Sequence, residues 1–273
     1  MSSSCEQTEA QRAVKRACHA AEKARGVAAT QAYRQTLVRE LFAVPVRDCA
    51  HRCFGRPVSL LRAGGLTPLD ELGLDQLRRS GFEIAVLTVE ENRPPFTAGT
   101  LGRPGEVILG DLRTVPIPAR SFDIVHCSLL LDRISHVELV LDRLTAALRP
   151  GGLLLLRIRD RDCAAGLLDR LLPQWVRRAW WAALYPGRPG PFPAVYERAA
   201  SDRGIRAYLQ LRGLVITQRE TARTPPAAAS RAGQAARAAR GLIARLSRGQ
   251  LSDAHDEVLY VIRKPEDRFA RVM

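Results

Sequence analysis

Three side chains able to take or give a proton lie in one short stretch of the chain: His126, Asp132 and His136. Held against a hydroxyl or amine, a histidine or carboxylate serves as a general base. A lone histidine is more often structural, and His126 sits inside an apolar run where a buried role suits it. Two further acids stand at the ends of apolar runs: Glu90 after Glu83 to Val89, and Asp111 after Val107 to Gly110. Gly-Asp is also an ordinary turn, and Glu90-Glu91 also reads as a solvated loop, but their joint placement at strand ends favours a ligand role. Gly64-Gly65 turns the chain after Val58 to Leu61, and Cys127-Ser128 ends the run that holds His126. Cys49-Ala-His51-Arg-Cys53 is the nearest approach to a metal motif. It has no second ligand pair downstream, whereas structural zinc takes four ligands, so no metal site is expected. The six cysteines read as thiols of a reducing compartment.

The elements that must position these groups follow from the hydrophobic pattern. From Val107 to Asp160 the chain reads strand, loop, strand, helix, turn, strand, the order that builds a parallel sheet whose strand ends converge on a cofactor crevice. Strands are expected at Val58 to Leu61, Glu83 to Val89, Glu106 to Leu109, Asp123 to Cys127, Leu153 to Ile158, Leu214 to Gln218 and Val258 to Ile262. Thr67 as N-cap, Pro68 at the first helical position and Asp70-Glu71 in the first turn start a helix that runs to about Arg79. Val137, Leu141, Leu144 and Leu148 form the buried stripe of a second helix, and Ala199 to Leu211 is a third. The first 45 residues read as helical, with Tyr33, Leu37 and Leu41 at helical spacing and Pro45 ending the run. Residues 92–105 are rich in Pro and Gly and are expected to loop.

Two segments stand outside this alternation. Gly166 to Tyr185 holds all three tryptophans, interleaved with Arg170, Arg177 and Arg178, and Pro173 divides it into two short helices. Thr221 to Gln250 is largely Ala and Arg. Its residues 229–246 form either a helix with Arg237, Arg240 and Arg245 exposed, or a flexible basic excursion.

A chain of 273 residues suits one α/β domain with additions. Its net charge of +14 is carried almost wholly by arginine. Those arginines are scattered throughout, as GC-rich coding produces, so a nucleic-acid partner is not favoured. No run approaches the ~20 apolar residues of a membrane span, and the polar, basic first residues do not read as a secretory signal. A cytoplasmic location is expected.

Gly110-Asp111, Phe122-Asp123 and Leu148-Arg149-Pro150-Gly151-Gly152, in that order and on those elements, closely resemble the second half of the class I S-adenosylmethionine-dependent methyltransferase domain. The resemblance implies an α/β, Rossmann-like, doubly wound seven-stranded sheet, mostly parallel with an antiparallel last strand, plus N-terminal helices. It implies the strand order 3-2-1-4-5-7-6. It divides the chain into a helical extension or lid (1–55), a methyltransferase-like domain (56–264) and a tail (265–273). Within the domain, 166–195 is a lid insertion and 221–250 an insertion between the last two strands.

The cofactor it implies is S-adenosylmethionine. Gly64 and Gly65 would let the backbone approach the ligand, Glu90 would accept from the ribose hydroxyls, and Asp111 would accept from the adenine amino group. The backbone of Leu112 would pair with the ring, and Cys127 and Ser128 would line the pocket near the methyl group. The chain departs from the family at Leu60-Leu61-Arg62-Ala63-Gly64-Gly65-Leu66, where the usual pattern is an acid followed by Gly-x-Gly-x-Gly. Two roles are open to Arg62: pairing with the methionine carboxylate, or filling the site. Asp132 falls at a glutamate position of small-molecule methyltransferases, and Arg133 replaces a histidine. Tyr185, Tyr196 and Asp160 border the expected acceptor pocket. The acceptor is expected to be a small molecule, lipid or glycan, with the Trp/Arg segment as its lid or as a peripheral contact with an anionic membrane. The alternative is a methyltransferase-like module that binds a partner without catalysis. An RNA methyltransferase is less supported, because Cys127-Ser128-Leu129-Leu130 stands where an amino-methylating enzyme carries Asn/Asp-Pro-Pro-Tyr/Phe.

Overall fold

Apolar runs too short for helices become strands, and the amphipathic stretches between them cover the sheet. In a computed structural model of the chain, the described residues are 36–53, 55–64, 69–90, 106–184, 190, 193–223, 231–248 and 250–266. The expected loop at 92–105, Thr67 and Gly65 lie outside them. Helix α1 spans residues 36–52. Then come β1 (Val58–Ala63), a 3-10 turn (Leu69–Leu72), α2 (Leu74–Arg79), β2 (Ile84–Glu90), β3 (Glu106–Leu109) and β4 (Phe122–Ser128). After these follow α3 (Val137–Ala147), β5 (Leu148–Arg159), α4 (Ala164–Leu171), α5 (Gln174–Leu184), α6 (Asp202–Leu211), β6 (Val215–Ala222), α7 (Arg231–Leu246) and β7 (Glu257–Arg263). The strands form one sheet in the order β3-β2-β1-β4-β5-β7-β6. β7 runs antiparallel to both neighbours, and the other pairs are parallel.

Strand alternation gives the sheet two apolar faces. One carries Leu61, Val125, Leu154, Leu156 and Tyr260 under α3 and α6. The other carries Val58, Leu60, Ile124, Leu155 and Val261 under Val38, Phe42 and Val46 of α1 and Leu72, Leu74 and Leu77 beyond it. Pro45 does not end α1, contrary to the sequence expectation. Proline inside a helix costs about 3 kcal/mol, but the next turn buries Val46, Cys49 and Ala50 in this core, which outweighs it. The helix expected up to Arg79 is likewise divided, at Gly73. That residue has φ 65°, and a Cβ there would stand 3.0 Å from the Cβ of Ala43 on α1, so only glycine lets α1 come this close.

At the amino end of β4, Asp123 is 3% exposed and ties three segments together. Arg56 donates two hydrogen bonds to it, at 2.7 and 2.6 Å, Arg149 donates one at 2.9 Å, and the N–H of Ser59 one at 3.0 Å. Burial pushes its carboxyl up, but these donors outweigh burial and hold its pKa below the ordinary value. Gly152 is required beside it, since a Cβ there would stand 3.0 Å from the carbonyl oxygen of Asp123 and 2.9 Å from that of Arg149.

Candidate functional site

The other end of the strands carries the candidate ligand groups. β1 ends beside β2 and β4, with Ala63 paired to both Val89 and Cys127, and Glu90 closes β2 next to Leu109 of β3. Gly64 leaves β1 with φ 83°, and Leu130 packs over it: a Cβ at Gly64 would stand 3.4 Å from that of Leu130. After β3, Asp111 opens a turn whose N–H groups at Thr114 and Val115 return to its carbonyl. Its carboxylate is 33% exposed and is held by the guanidinium of Arg113, at 2.8 and 2.5 Å, and by the Arg113 N–H at 2.9 Å. Arg113 also donates to the hydroxyl of Ser135 at 2.8 Å, which ties the loop after β3 to the loop after β4. The N–H of Leu112 takes part in no hydrogen bond among the described residues. Asp111 and Leu112 thus present an acceptor and an unused donor side by side at a strand end, the pair that an aminopurine edge requires.

The remaining sequence candidates are distributed over both faces and the loops. Cys127 is fully buried on the α3 face, and burial pushes its thiol up to about 12, so it is a neutral wall. Ser128 turns to the opposite face, 1% exposed, with a hydroxyl that has no partner among the described residues. His126 lies on that face too, fully buried, its ring 5.9 Å from that of Phe42. Burial, then the charges of Arg62 and Arg157, lower its pKa to about 3, and neither ring nitrogen has a partner among the described residues. His126 is therefore a neutral core group. His136 is exposed at the start of α3 with φ 60°, its N–H bonded to Glu197 at 2.7 Å. Asp132 is 3% exposed, and its Oδ1 has no hydrogen-bond partner among the described residues. No hydrogen bond joins any two of these three.

Asp132 is nevertheless near the place where the expected pocket residues meet. Its carbonyl accepts the N–H groups of Val195 and Tyr196, at 3.0 and 3.1 Å, which straps residues 193–197 over the loop after β4. Tyr196 and Asp160 then line one cleft with Arg159, Asp169 and Asp256, walled by Ala165 and Gly166 of α4. Tyr185 lies outside the described residues. The cleft encloses about 20 Å³, room for about one water. Backbone at Leu129, His136 and Tyr196 is left-handed, with φ 50°, 60° and 44°; such non-glycine residues concentrate where function over-determines the geometry.

One network was not anticipated from the sequence. Arg157, 2% exposed, lies opposite Ser128 and donates to Glu257 at 2.9 Å and to Glu71 at 2.5 Å. It fastens the segment that follows the Gly64 turn to β5 and β7. An arginine within the otherwise apolar Leu153 to Ile158 was the available signal. A buried arginine must be paired.

A family model for the methyltransferase domain matches residues 37–216. The chain is a member of that family. Solved structures are similar to it. A loganic acid methyltransferase with SAH is 11% identical, covers 87% of this chain and 96% of its own, and gives a TM-score of 0.50. An S-adenosylmethionine dependent methyltransferase from Mesorhizobium loti is 17% identical over 76% of this chain and 91% of its own, TM-score 0.40. A Burkholderia thailandensis 1,6-didemethyltoxoflavin-N1-methyltransferase, with its substrate and S-adenosylhomocysteine bound, is 16% identical over 89% and 87%, TM-score 0.41. No curated protein matches the sequence. Within this methyltransferase domain, the family match begins inside α1, in keeping with that helix's place in the core. No described helix is long and apolar enough to cross a membrane.

Proposed function

We propose that the protein binds S-adenosylmethionine and transfers its methyl group to a hydroxyl or amine of a small-molecule, lipid or glycan acceptor. The observation that supports this best is the corner at Asp111 and Leu112, with an accessible carboxylate beside an unused N–H at the end of β3. Bound there, the cofactor supplies an electrophilic methyl on a sulfonium. Asp111 accepts from its adenine amino group, the Leu112 N–H donates to the ring, and Glu90 at the end of β2 takes the ribose. Gly64 keeps the backbone low after β1. Arg62, 5% exposed near the end of β1, is the cation proposed to meet the methionine carboxylate.

On the acceptor side, Asp132 is the proton-taking group. A buried carboxylate oxygen without a donor is costly, and a hydroxyl or amine presented beside the Tyr196 strap supplies that donor. His126 is a core group in this reading, and His136 orders the loop. Helices α4 and α5 close over the cleft and exclude water.

A second reading, a methyltransferase-like module that binds a partner without turnover, draws on the packing of Leu130 over Gly64. Calorimetric titration with S-adenosylmethionine and S-adenosylhomocysteine separates the two. Micromolar binding that is lost in Asp111→Ala and Glu90→Ala supports the enzyme, whereas no binding by folded wild type supports the module. Given an acceptor, Asp132→Asn should lower turnover by about a hundredfold with cofactor affinity unchanged.

A further inference from the structure

The two segments that stand apart from the strand–helix alternation come together in space. Helices α4 and α5 both pack against α7. The join is fixed by the N–H of Ala164 on the carbonyl of Ser252 at 3.0 Å, and by buried Arg240 of α7 on Asp253 at 2.9 Å. Trp181, Arg177, Ala236 and Arg240 form the buried side of this three-helix cap. Its outer side exposes four large apolar side chains: Leu171 is 66% exposed, Trp175 73%, Leu242 57% and Leu246 74%.

Charge on the cap is one-sided. Residues 164–184 and 231–248 contain eight arginines and one acid, Asp169. That acid is already held by Arg177 at 2.9 Å and by the hydroxyl of Tyr196 at 3.0 Å. Arg178, Arg245 and Arg248 are exposed and form no ion pair among the described residues. Two of these exposed apolar groups have an arginine three positions on, Trp175 with Arg178 and Leu242 with Arg245, which places each pair on one helical face. Arginine and apolar side chains are therefore interleaved. An apolar centre with a polar rim, the usual layout of a protein–protein patch, is not what this surface shows.

We propose that this cap docks on an anionic lipid surface, with Trp175, Leu171, Leu242 and Leu246 entering the headgroup–acyl boundary while Arg178, Arg245 and Arg248 reach lipid phosphates. Tryptophan suits that boundary, and long basic side chains reach back to it from an apolar face. Docking would hold the acceptor cleft, walled by α4, against the membrane.

The test is co-sedimentation of the full chain with vesicles of phosphatidylcholine alone and of phosphatidylcholine and phosphatidylglycerol in equal parts. Binding is expected only to the anionic vesicles, weakening as salt is raised. Trp175→Ala and Leu246→Glu, both at exposed positions, should each lower it by about tenfold, and Arg178→Gln with Arg245→Gln should remove most of the salt-dependent part. Asp111→Ala should bind vesicles as wild type does, which keeps this outcome separate from that of cofactor binding. Equal binding to both vesicle types, no binding by wild type, or variants that bind unchanged would overturn the proposal. So would self-association of the wild type that Leu246→Glu abolishes, since the patch would then be an interface between copies.

Discussion

Asp123 and Asp111 are both aspartates next to a strand of the same sheet, and both are gripped by arginine. Asp123 sits at the amino end of β4, 3% exposed, with two arginines and a backbone N–H consuming its oxygens. Asp111 follows the carboxyl end of β3, its side chain a third exposed, and is gripped by Arg113 of its own turn. The first is a rivet, and the second is the ligand seat of the proposed function. Both belong to the motifs that carry the family resemblance, so a motif identifies a fold without saying which of its residues face the chemistry.

Substitution should separate the two sharply. Asp123→Ala leaves Arg56 and Arg149 converging on nothing and should cost about 3 kcal/mol of unfolding free energy in urea titration, tempered because both arginines reach solvent. Its sign with pH is fixed: the folded pKa lies below the ordinary carboxylate value. The stability it contributes is present above that value and is lost as pH falls through the folded pKa. The acid limb should therefore be shallower in Asp123→Ala than in wild type. Asp111→Ala should do the converse, weakening S-adenosylmethionine by about tenfold with little loss of stability, because exposed ion pairs are worth about 0–1 kcal/mol. A large stability loss in that variant would mean the two aspartates play the same role.

His126, between the two ends, adds a pH dependence of its own. Its folded pKa of about 3 lies below the ordinary 6.5, so the unfolded chain takes a proton that the folded one refuses. Stability should fall by about 1.4 kcal/mol per pH unit below 6.5, and His126→Leu should flatten that decline. The smallest effect belongs to Arg113→Ala, which should shift stability by under about 1 kcal/mol. It bears on whether Arg113 orients Asp111: weaker cofactor binding means that it does, and tighter binding means that it competes.

The expected strands are found, because buried strands read as continuous apolar runs, but β5 starts at Leu148, taking in the expected turn at Pro150-Gly151-Gly152, and β6 runs four residues past Gln218 to Ala222. β3 is bounded as expected, at Glu106 and Leu109, and β4 is longer by one residue at each end. What the sequence hid was tertiary. Local propensity stops a helix at Pro45, but burial of the following turn carries α1 through it. Arg240, expected to be exposed, is 3% exposed because Asp253 and Asp256 on the approach to β7 reach it. Likewise, residues 231–246 of the Ala/Arg segment are helical, since α4 and α5 supply a partner face that composition does not reveal. At the candidate site, strand ends located Glu90 and Asp111, but nothing local showed that Arg113 would close on Asp111 or that His126 would be sealed under Phe42.

β7 lies between β5 and β6, yet it follows both in the chain. On the ribosome, β5 and β6 are therefore made before the strand that joins them, and Arg157 emerges a hundred residues ahead of its partner Glu257. Until β7 arrives, the nascent protein exposes an apolar sheet edge along Leu153 to Ile158, the kind of edge that pairs with other chains. The last strand of this sheet in chain order is thus the one that shields the edge of β5.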